Sequence, residues 1–461
     1  MKKRIAFHTL GCKLNFSETS GIARQFREDE YEQVDFHAQA DVYVINTCSV
    51  TGVAEKKCRQ AIRQARTRNP GASIAVVGCF SQLRPAEVAS LEGVDVVLGS
   101  NTKFDLFQII EQRRKEGKTE QEIHIDVKSG NSKTAEPPSE SLEGKSTEAL
   151  PELASRPDSL IAVYSSGDRT RSFVKVQDGC DYFCSYCTIP FARGLSRSAS
   201  VSQVMSLVAE VAAQGIQEII LTGVNVGDFG SKEGSSLFEL MKALDAAAAI
   251  PRMRISSIEP ELLTDEMISW SAGSQCFLPH FHIPLQSGSD KILKLMKRHY
   301  QTAVFRSRVL RIKELMPHAC IAADVIVGFP GETEEDFMDT YRFIESLPLS
   351  YCHVFTYSER PGTLAARMED KVKDSLKTDR SQRLHRLSEK KKEIFYQSCK
   401  GLSRPVLFES DHHKGWMFGF TDNYIKVKTP YNKAFVNEIR QVELTNLGED
   451  MMYQWDNPRP E

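Results

Sequence analysis

Short apolar runs alternate with amphipathic stretches over the first 118 residues of the chain. Arg4–Leu10, Val42–Asn46, Ser73–Val77 and Val94–Leu98 are rich in β-branched residues and read as strands. Helical spacing of apolar positions follows at Ser17–Glu28, Val53–Arg68 and Phe104–Lys115. Such βα alternation predicts a parallel sheet covered by helices. A longer alternation begins at residue 172. Its strand candidates are Phe173–Gln177, Glu218–Thr222, Met253–Ser257, Phe281–Leu285, Ile321–Val327 and His353–Tyr357. Helical patterns separate them at Val201–Gln214, Leu237–Ala248, Leu262–Ser271, Asp290–Lys297 with Ala303–Met316, and Glu334–Leu347. Six βα units fit a partial or complete parallel barrel. A basic helical stretch spans about 374–400, and the pattern then changes to short alternating runs at Pro405–Phe408, Gly415–Phe420, Tyr424–Lys428 and Val442–Thr445. Bounded by Gly, Asn and Pro, these runs predict a small all-β unit, a five-stranded barrel of the kind that binds oligonucleotides.

Residues 129–160 are rich in Ser, Glu, Pro and Lys and poor in aromatics. A stretch of that composition cannot bury enough apolar surface to offset its conformational entropy, so a flexible linker is expected. The fold class is therefore α/β, divided into an N-terminal parallel-sheet domain (1–125), the linker, a barrel (166–398) and an all-β module (399–461).

Composition narrows the function by exclusion. No window approaches the ~20 consecutive apolar residues of a membrane-spanning helix. The basic N-terminus is followed by an apolar run broken at His8 and Gly11, too short for a signal peptide. A cytoplasmic protein with no membrane role is expected. The net charge of −2 in 461 residues provides no overall basic field, although a local basic face remains compatible with it. Eleven cysteines, an odd and sparse set, favour thiols or metal ligands over a disulfide scaffold.

Cys180-Asp-Tyr-Phe-Cys184-Ser-Tyr-Cys187 directly follows the first barrel strand. A structural zinc site wants four protein ligands, so three thiolates leave a coordination position open. A 4Fe-4S cluster held by three cysteines likewise keeps one iron free. The loop lies at the strand's carboxyl end, where barrel enzymes place their active sites. Cys12, Cys48 and Cys79 each end a strand of the N-terminal sheet, in HTLGC, VINTC and VVGC. Carboxyl ends of parallel strands share one ligand-binding edge, so the three can converge although 36 and 31 residues apart. Buried thiols ending apolar strands are the plainer alternative. Cys58, Cys276, Cys320, Cys352 and Cys399 read as core thiols.

The pattern CxxxCxΦC, with Tyr186 as Φ, resembles the radical S-adenosylmethionine superfamily, in which Φ lies against the cofactor's adenine. Two open cysteine triads, a barrel and a C-terminal β-module together resemble the methylthiotransferase family of that superfamily. TLGCKLN at 9–15, VQDGCDYFCSYCTIPFARG at 176–194, TGVNVGDFG at 222–230, HIPLQSGSD at 282–290, DVIVGFPGETEEDF at 324–337 and HVFTYSERPGTLAARM at 353–368 look like the branch acting on threonylcarbamoyladenosine. The isopentenyladenosine branch typically shows GCQMN and the ribosomal-protein branch GCPKN. The resemblance implies two 4Fe-4S clusters and S-adenosylmethionine, the latter cleaved by an electron to yield the radical that takes hydrogen from C2 of the adenine. It implies a tRNA anticodon stem-loop carrying the modified adenosine at position 37, a donor of flavodoxin or ferredoxin type, and a monomer.

Loops at the same barrel rim are candidates to hold the cofactor: Thr222, Gly223 and Asn225 after the second strand, Gln286 and Ser287 after the fourth, and Gly328, Phe329 and Pro330 after the fifth. Plain βα turns are the alternative for each. Arg298 reads as a solvated helix end. Asn15 is a candidate substrate contact, and Ser17 a candidate helix N-cap. Arg193 and Arg197 are candidates to grip the RNA backbone or a substrate carboxylate, with an arginine facing the gap between clusters expected to read the threonylcarbamoyl group. The terminal module resembles TRAM, with Lys414, Trp416, Tyr424 and Lys426 as RNA contacts beside Phe418 and Lys428. Two other readings stay open: the same chemistry on another tRNA adenosine or a ribosomal protein residue, and a non-catalytic iron-sulfur or zinc protein that binds RNA.

Overall fold

The structure is a computed structural model that describes residues 2–48, 52–118, 120–125, 160–166 and 170–456. The linker expected at 129–160 lies outside the described residues except for Leu160.

Six parallel strands form the N-terminal sheet, in the order Tyr31–Val34, Lys3–Thr9, Val42–Thr47, Ser73–Gly78, Val96–Leu98 and Glu122–His124. Its central strands are covered on both faces. Tyr43, Ile45 and Val76 pack on one side, and Val44, Val77 and Leu98 on the other. That two-sided burial is why VYVINT is a continuous apolar run rather than an alternating one. The two edge strands escaped the apolar pattern, because YEQV and EIH are short and half polar. The first helix begins at Lys13, four residues before the expected start, with Cys12 at its extended N-cap position. Ser17 is therefore not a cap: it is buried mid-helix and donates its hydroxyl to the Leu14 carbonyl at 2.9 Å.

In the barrel, Arg171–Lys175, Glu218–Thr222 and Arg252–Ile255 pair in parallel, as do His280–His282, Cys320–Val327 and Tyr351–Thr356. A parallel bridge between Met253 and Phe277 joins the two sets into a six-stranded partial barrel. The short strand Val163–Tyr164 adds antiparallel to the first. Three of the helices leaving the rim open with a capping box, at Ser200, Ser236 and Thr333.

The long helix Asp374–Ser398 runs from the barrel to a six-stranded C-terminal sheet that curls into a half-barrel over Phe408, Met417, Val427 and Tyr453. The sheet has six strands where a five-stranded barrel is expected; four match the runs in the sequence, and Asn446–Leu447 and Tyr453–Gln454 are too short to show as patterns. It docks on the lower barrel through a buried acid. Glu218 holds Arg252 at 2.8 Å and Arg254 at 3.0 Å. The free edges of those arginines donate to the carbonyls of Pro405, Phe420, Thr421 and Asp422. Among the described residues, no helix is long and apolar enough to cross a membrane.

Candidate functional site

Cys12, Cys48 and Cys79 sit at the carboxyl ends of three neighbouring strands of the N-terminal sheet. Cys48 and Cys79 are buried, whereas Cys12 is accessible. Gly11 makes the approach possible: at φ +98°, a Cβ there would lie 2.5 Å from the Cβ of Cys48 and 2.8 Å from its Sγ. The amide nitrogen of Asn15 holds the carbonyls of Leu10 and Thr47 at 2.7 and 3.0 Å, fixing the chain just before two of the three thiols. Asn15 thus shapes the triad from behind.

Cys180, Cys184 and Cys187 occupy the loop after the first barrel strand, close enough that Cys184 and Cys187 raise the cost of ionising Cys180, and Cys184 that of ionising Cys187. The Cys180 amide donates to Gly194 at 3.1 Å, the Ser185 amide to Met296 at 3.1 Å, and the Ile189 amide to the Cys187 sulfur at 3.4 Å. Burial pushes the Cys187 thiol up to about 12. Arg298 is not the solvated helix end expected. Its side chain is buried, donates to Cys184 Sγ at 3.0 Å and is ion-paired with Glu259.

The donor sets fit iron-sulfur clusters better than single ions. A structural zinc site takes four protein ligands. Each triad supplies three thiols, the number that holds a 4Fe-4S cluster with one iron left open.

A cavity of about 270 Å³ opens beside Cys187, with Tyr186, Gln286, Asp324, Phe355 and Arg360 on its wall. Tyr186 and the buried Phe329 meet edge-to-face at 6.3 Å, so Phe329 supports the wall from behind. Gln286 adopts φ +60° and reaches the cavity. Gly328, at φ +75°, donates its amide to the Glu332 carboxylate, which burial pushes up to about 7 against the opposing charge of Arg380. Pro330 is buried in the same turn. Two of the expected cofactor contacts spend their hydroxyls on the scaffold instead: Thr222 donates to Val174 at 3.0 Å, and Ser287 meets Thr340 at 3.2 Å. Gly223 packs on Gln177, where a Cβ would lie 2.7 Å from Oε1, and Gln177 Oε1 accepts from the Asn225 amide at 2.9 Å. The Asn225 side-chain oxygen is buried and, among the described residues, without a hydrogen-bond partner.

Arg193 and Arg197 do not present a free grip to RNA. Both are buried between the two α/β domains. Arg193 pairs with Glu18 and Asp178 at 3.0 Å, and Arg197 pairs with Asp178 at 3.0 Å and donates to Asn101 at 3.1 Å. Lys103 and Lys175 complete the network at 2.6 and 2.7 Å from Glu18. Four cations thus enclose two carboxylates, and Arg193 lies within electrostatic reach of Cys12 and Cys79. The excess positive charge faces thiols that ionise when they bind metal. Glu18, Lys103, Lys175 and Asp178 were passed over in the sequence. The signal was there: charged side chains in an apolar strand and helix face are rarely buried unless paired.

The C-terminal residues divide. Lys414 is exposed at a hairpin turn with φ +50°. Trp416, Phe418, Lys426 and Lys428 are half-buried and alternate with the buried Met417 and Val427, which places the four on the outer face. Lys426 lies 4.6 Å over Phe418 and Lys428 5.4 Å over Trp416. Tyr424 does not join that face: it stacks on His280 at 4.3 Å and on Phe420 at 4.8 Å, docking the module on the barrel. The five remaining cysteines are buried.

Comparison with known proteins fits this geometry. Residues 4–99 match the uncharacterized protein family UPF0004, and residues 174–344 match the radical SAM superfamily. The threonylcarbamoyladenosine tRNA methylthiotransferase MtaB of Bacillus subtilis is 38% identical over 96% of this chain and 94% of its own. That of Thermotoga maritima is 36% identical over 97% and 96%. This chain belongs to the radical SAM tRNA methylthiotransferase family. The cofactors of this family are S-adenosylmethionine and 4Fe-4S clusters, and they are the cofactors of this methylthiotransferase. A further relative, the tRNA-2-methylthio-N(6)-dimethylallyladenosine synthase of Clostridium tetani, is 30% identical over 95% of this chain and 92% of its own. Among solved structures, the radical S-adenosylmethionine methyltransferase TsrM of Kitasatospora setae superposes with a TM-score of 0.54, covering 91% of this chain and 77% of that one, at 13% identity. That likeness shows the fold.

Proposed function

We propose that this methylthiotransferase acts on C2 of N6-threonylcarbamoyladenosine at position 37 of tRNA. In this reading, Cys180, Cys184 and Cys187 hold the cluster that serves S-adenosylmethionine, and Cys12, Cys48 and Cys79 hold an auxiliary cluster. When bound, these groups supply radical hydrogen abstraction and sulfur delivery, chemistry that no side chain provides. The chain's own residues build the chamber. Tyr186, backed by Phe329, offers an aromatic wall, and the turn at Gln286 brings the backbone to the cavity. Trp416, Phe418, Lys426 and Lys428 offer the stacking and charged surface that unpaired nucleotides favour.

The observation that carries this reading is that one arginine on the wall of the cavity beside Cys187 reaches the N-terminal domain and its triad. Arg360, on the cavity wall beside Cys187, pairs at 2.8 Å with Glu55 of the N-terminal domain and lies within electrostatic reach of Cys48. Full-length likeness to proteins named for threonylcarbamoyladenosine supports the substrate. The chemistry requires a low-potential electron donor, of flavodoxin or ferredoxin type.

The test is nucleoside mass spectrometry after incubating the reconstituted enzyme, S-adenosylmethionine and a strong reductant with two tRNAs. One carries threonylcarbamoyladenosine and the other isopentenyladenosine at position 37. The methylthio product is expected on the first. Product on the second alone would overturn the substrate assignment.

A further inference from the structure

Arg360 is 6% exposed on the wall of the cavity that Tyr186 and Cys187 also line. Its Nη1 donates to Glu55 Oε1 at 2.8 Å. Among the described residues, its Nε and Nη2 are buried without a hydrogen-bond partner. These two nitrogens form the side of a guanidinium that grips a carboxylate or phosphate with two parallel hydrogen bonds. Two bare donors on a buried charge are costly unless a ligand satisfies them. Nor does Glu55 neutralise Arg360 alone, because Arg84 shares the same carboxylate at 3.5 Å. A partly compensated cation thus presents an unused two-pronged edge beside the cavity.

We propose that the Nε–Nη2 edge of Arg360 is an oxyanion seat in the substrate chamber. Its occupant is an anionic group of the target nucleotide: the carboxylate of the threonylcarbamoyl substituent, or a phosphate flanking that nucleotide. The carboxylate source rests on the threonylcarbamoyladenosine reading; the seat itself does not. Arg360 takes the place expected for an arginine facing the gap between the triads, which Arg193 and Arg197 do not fill.

The experiment uses the enzyme with its clusters loaded and compares wild type, Arg360→Gln and Arg360→Lys. Affinity is measured for two anticodon stem-loops, one carrying threonylcarbamoyladenosine and one with unmodified adenosine at the same position. Affinity for S-adenosylmethionine and the melting temperature are recorded alongside. Losing the two charged hydrogen bonds should weaken binding of the modified stem-loop by about tenfold or more. Lysine keeps the charge and can still reach Glu55, yet lacks the planar fork, so Arg360→Lys should lose nearly as much. If Arg360→Gln does not fold, Arg360→Lys decides. A loss confined to the modified stem-loop identifies the carboxylate; an equal loss on both identifies the phosphate. If wild type binds both stem-loops equally while the variants weaken both, the threonylcarbamoyl reading falls and the seat stands. Unchanged RNA affinity, or a loss only in S-adenosylmethionine affinity, would overturn the proposal.

Discussion

Arg193 donates to the side-chain oxygen of Asn15 at 2.7 Å, across the boundary between the N-terminal domain and the barrel. Asn15 pins the carbonyls next to Cys12 and Cys48, while Arg193 also holds Asp178, two residues before Cys180. One guanidinium therefore ties together the loops that carry both triads. A hydrophobic seam could join two domains with comparable stability. A charge network with fixed donor geometry also sets their register.

Removing one partner of that network should be severe, because it leaves buried charge uncompensated. Arg193→Met is expected to destabilise the folded protein by about 3–5 kcal/mol. The check is the urea midpoint of wild type and variant at equal iron content. A change below about 1 kcal/mol, as for an exposed ion pair, would show that the network is not the clamp described.

The docking of the C-terminal module should weaken in acid. Burial alone would raise the Glu218 carboxyl, but Arg254, Arg252 and Arg171 hold it down at about 2. A group depressed in the folded state stabilises it above its unfolded pKa and ceases to as pH falls through the folded value. The contribution, about 3 kcal/mol in order of magnitude, should be intact above about pH 4.5 and fade from there toward about 2. Urea unfolding followed by Tyr and Trp fluorescence from pH 7 to 3 measures it. In Glu218→Gln this part of the acid dependence should be missing.

Without metal, the barrel thiols should be protonated at neutral pH. Burial lifts all three, Cys187 to about 12. Maleimide labelling of the apoprotein should accordingly be slow at pH 7, and cluster assembly should release about one proton per ligating thiol. Rapid labelling of Cys180, Cys184 and Cys187 at pH 7 would contradict the uncharged state.

The outer face of the terminal module and its docking side should separate by mutation. Trp416→Ala is expected to weaken binding of unmodified single-stranded RNA by roughly tenfold, the worth of about one stacked base. Tyr424→Ala removes a stack on His280 instead, so it should lower the melting temperature with little effect on RNA affinity. Filter binding and thermal unfolding of both variants decide the matter.

Much of this architecture was legible along the chain. Glu218–Thr222 is a strand with the bounds its β-branched run predicts, and the helix expected at Val201–Gln214 is observed over Val201–Ala213. Cysteines at three strand ends could be placed on one edge because a parallel sheet leaves its carboxyl ends together. What stayed hidden depends on tertiary contact. Arg193 and Arg197 read as a grip for RNA or a carboxylate until Glu18, remote in sequence, arrives beside Arg193. Tyr424 and Trp416 look equivalent in an alternating strand pattern, and only the barrel beneath the module turns one of them inward. Arg360 gave no signal, since an arginine in a loop shows neither its burial nor its unpaired nitrogens.

The most direct measurement is iron and acid-labile sulfide per chain after anaerobic reconstitution, for wild type and for the combined Cys12→Ala, Cys48→Ala, Cys79→Ala variant. The account predicts about eight irons in wild type and about four in the variant, as two separate 4Fe-4S clusters require. About four irons in both would leave the N-terminal triad without a cluster, and the two-cluster reading of this enzyme would be wrong.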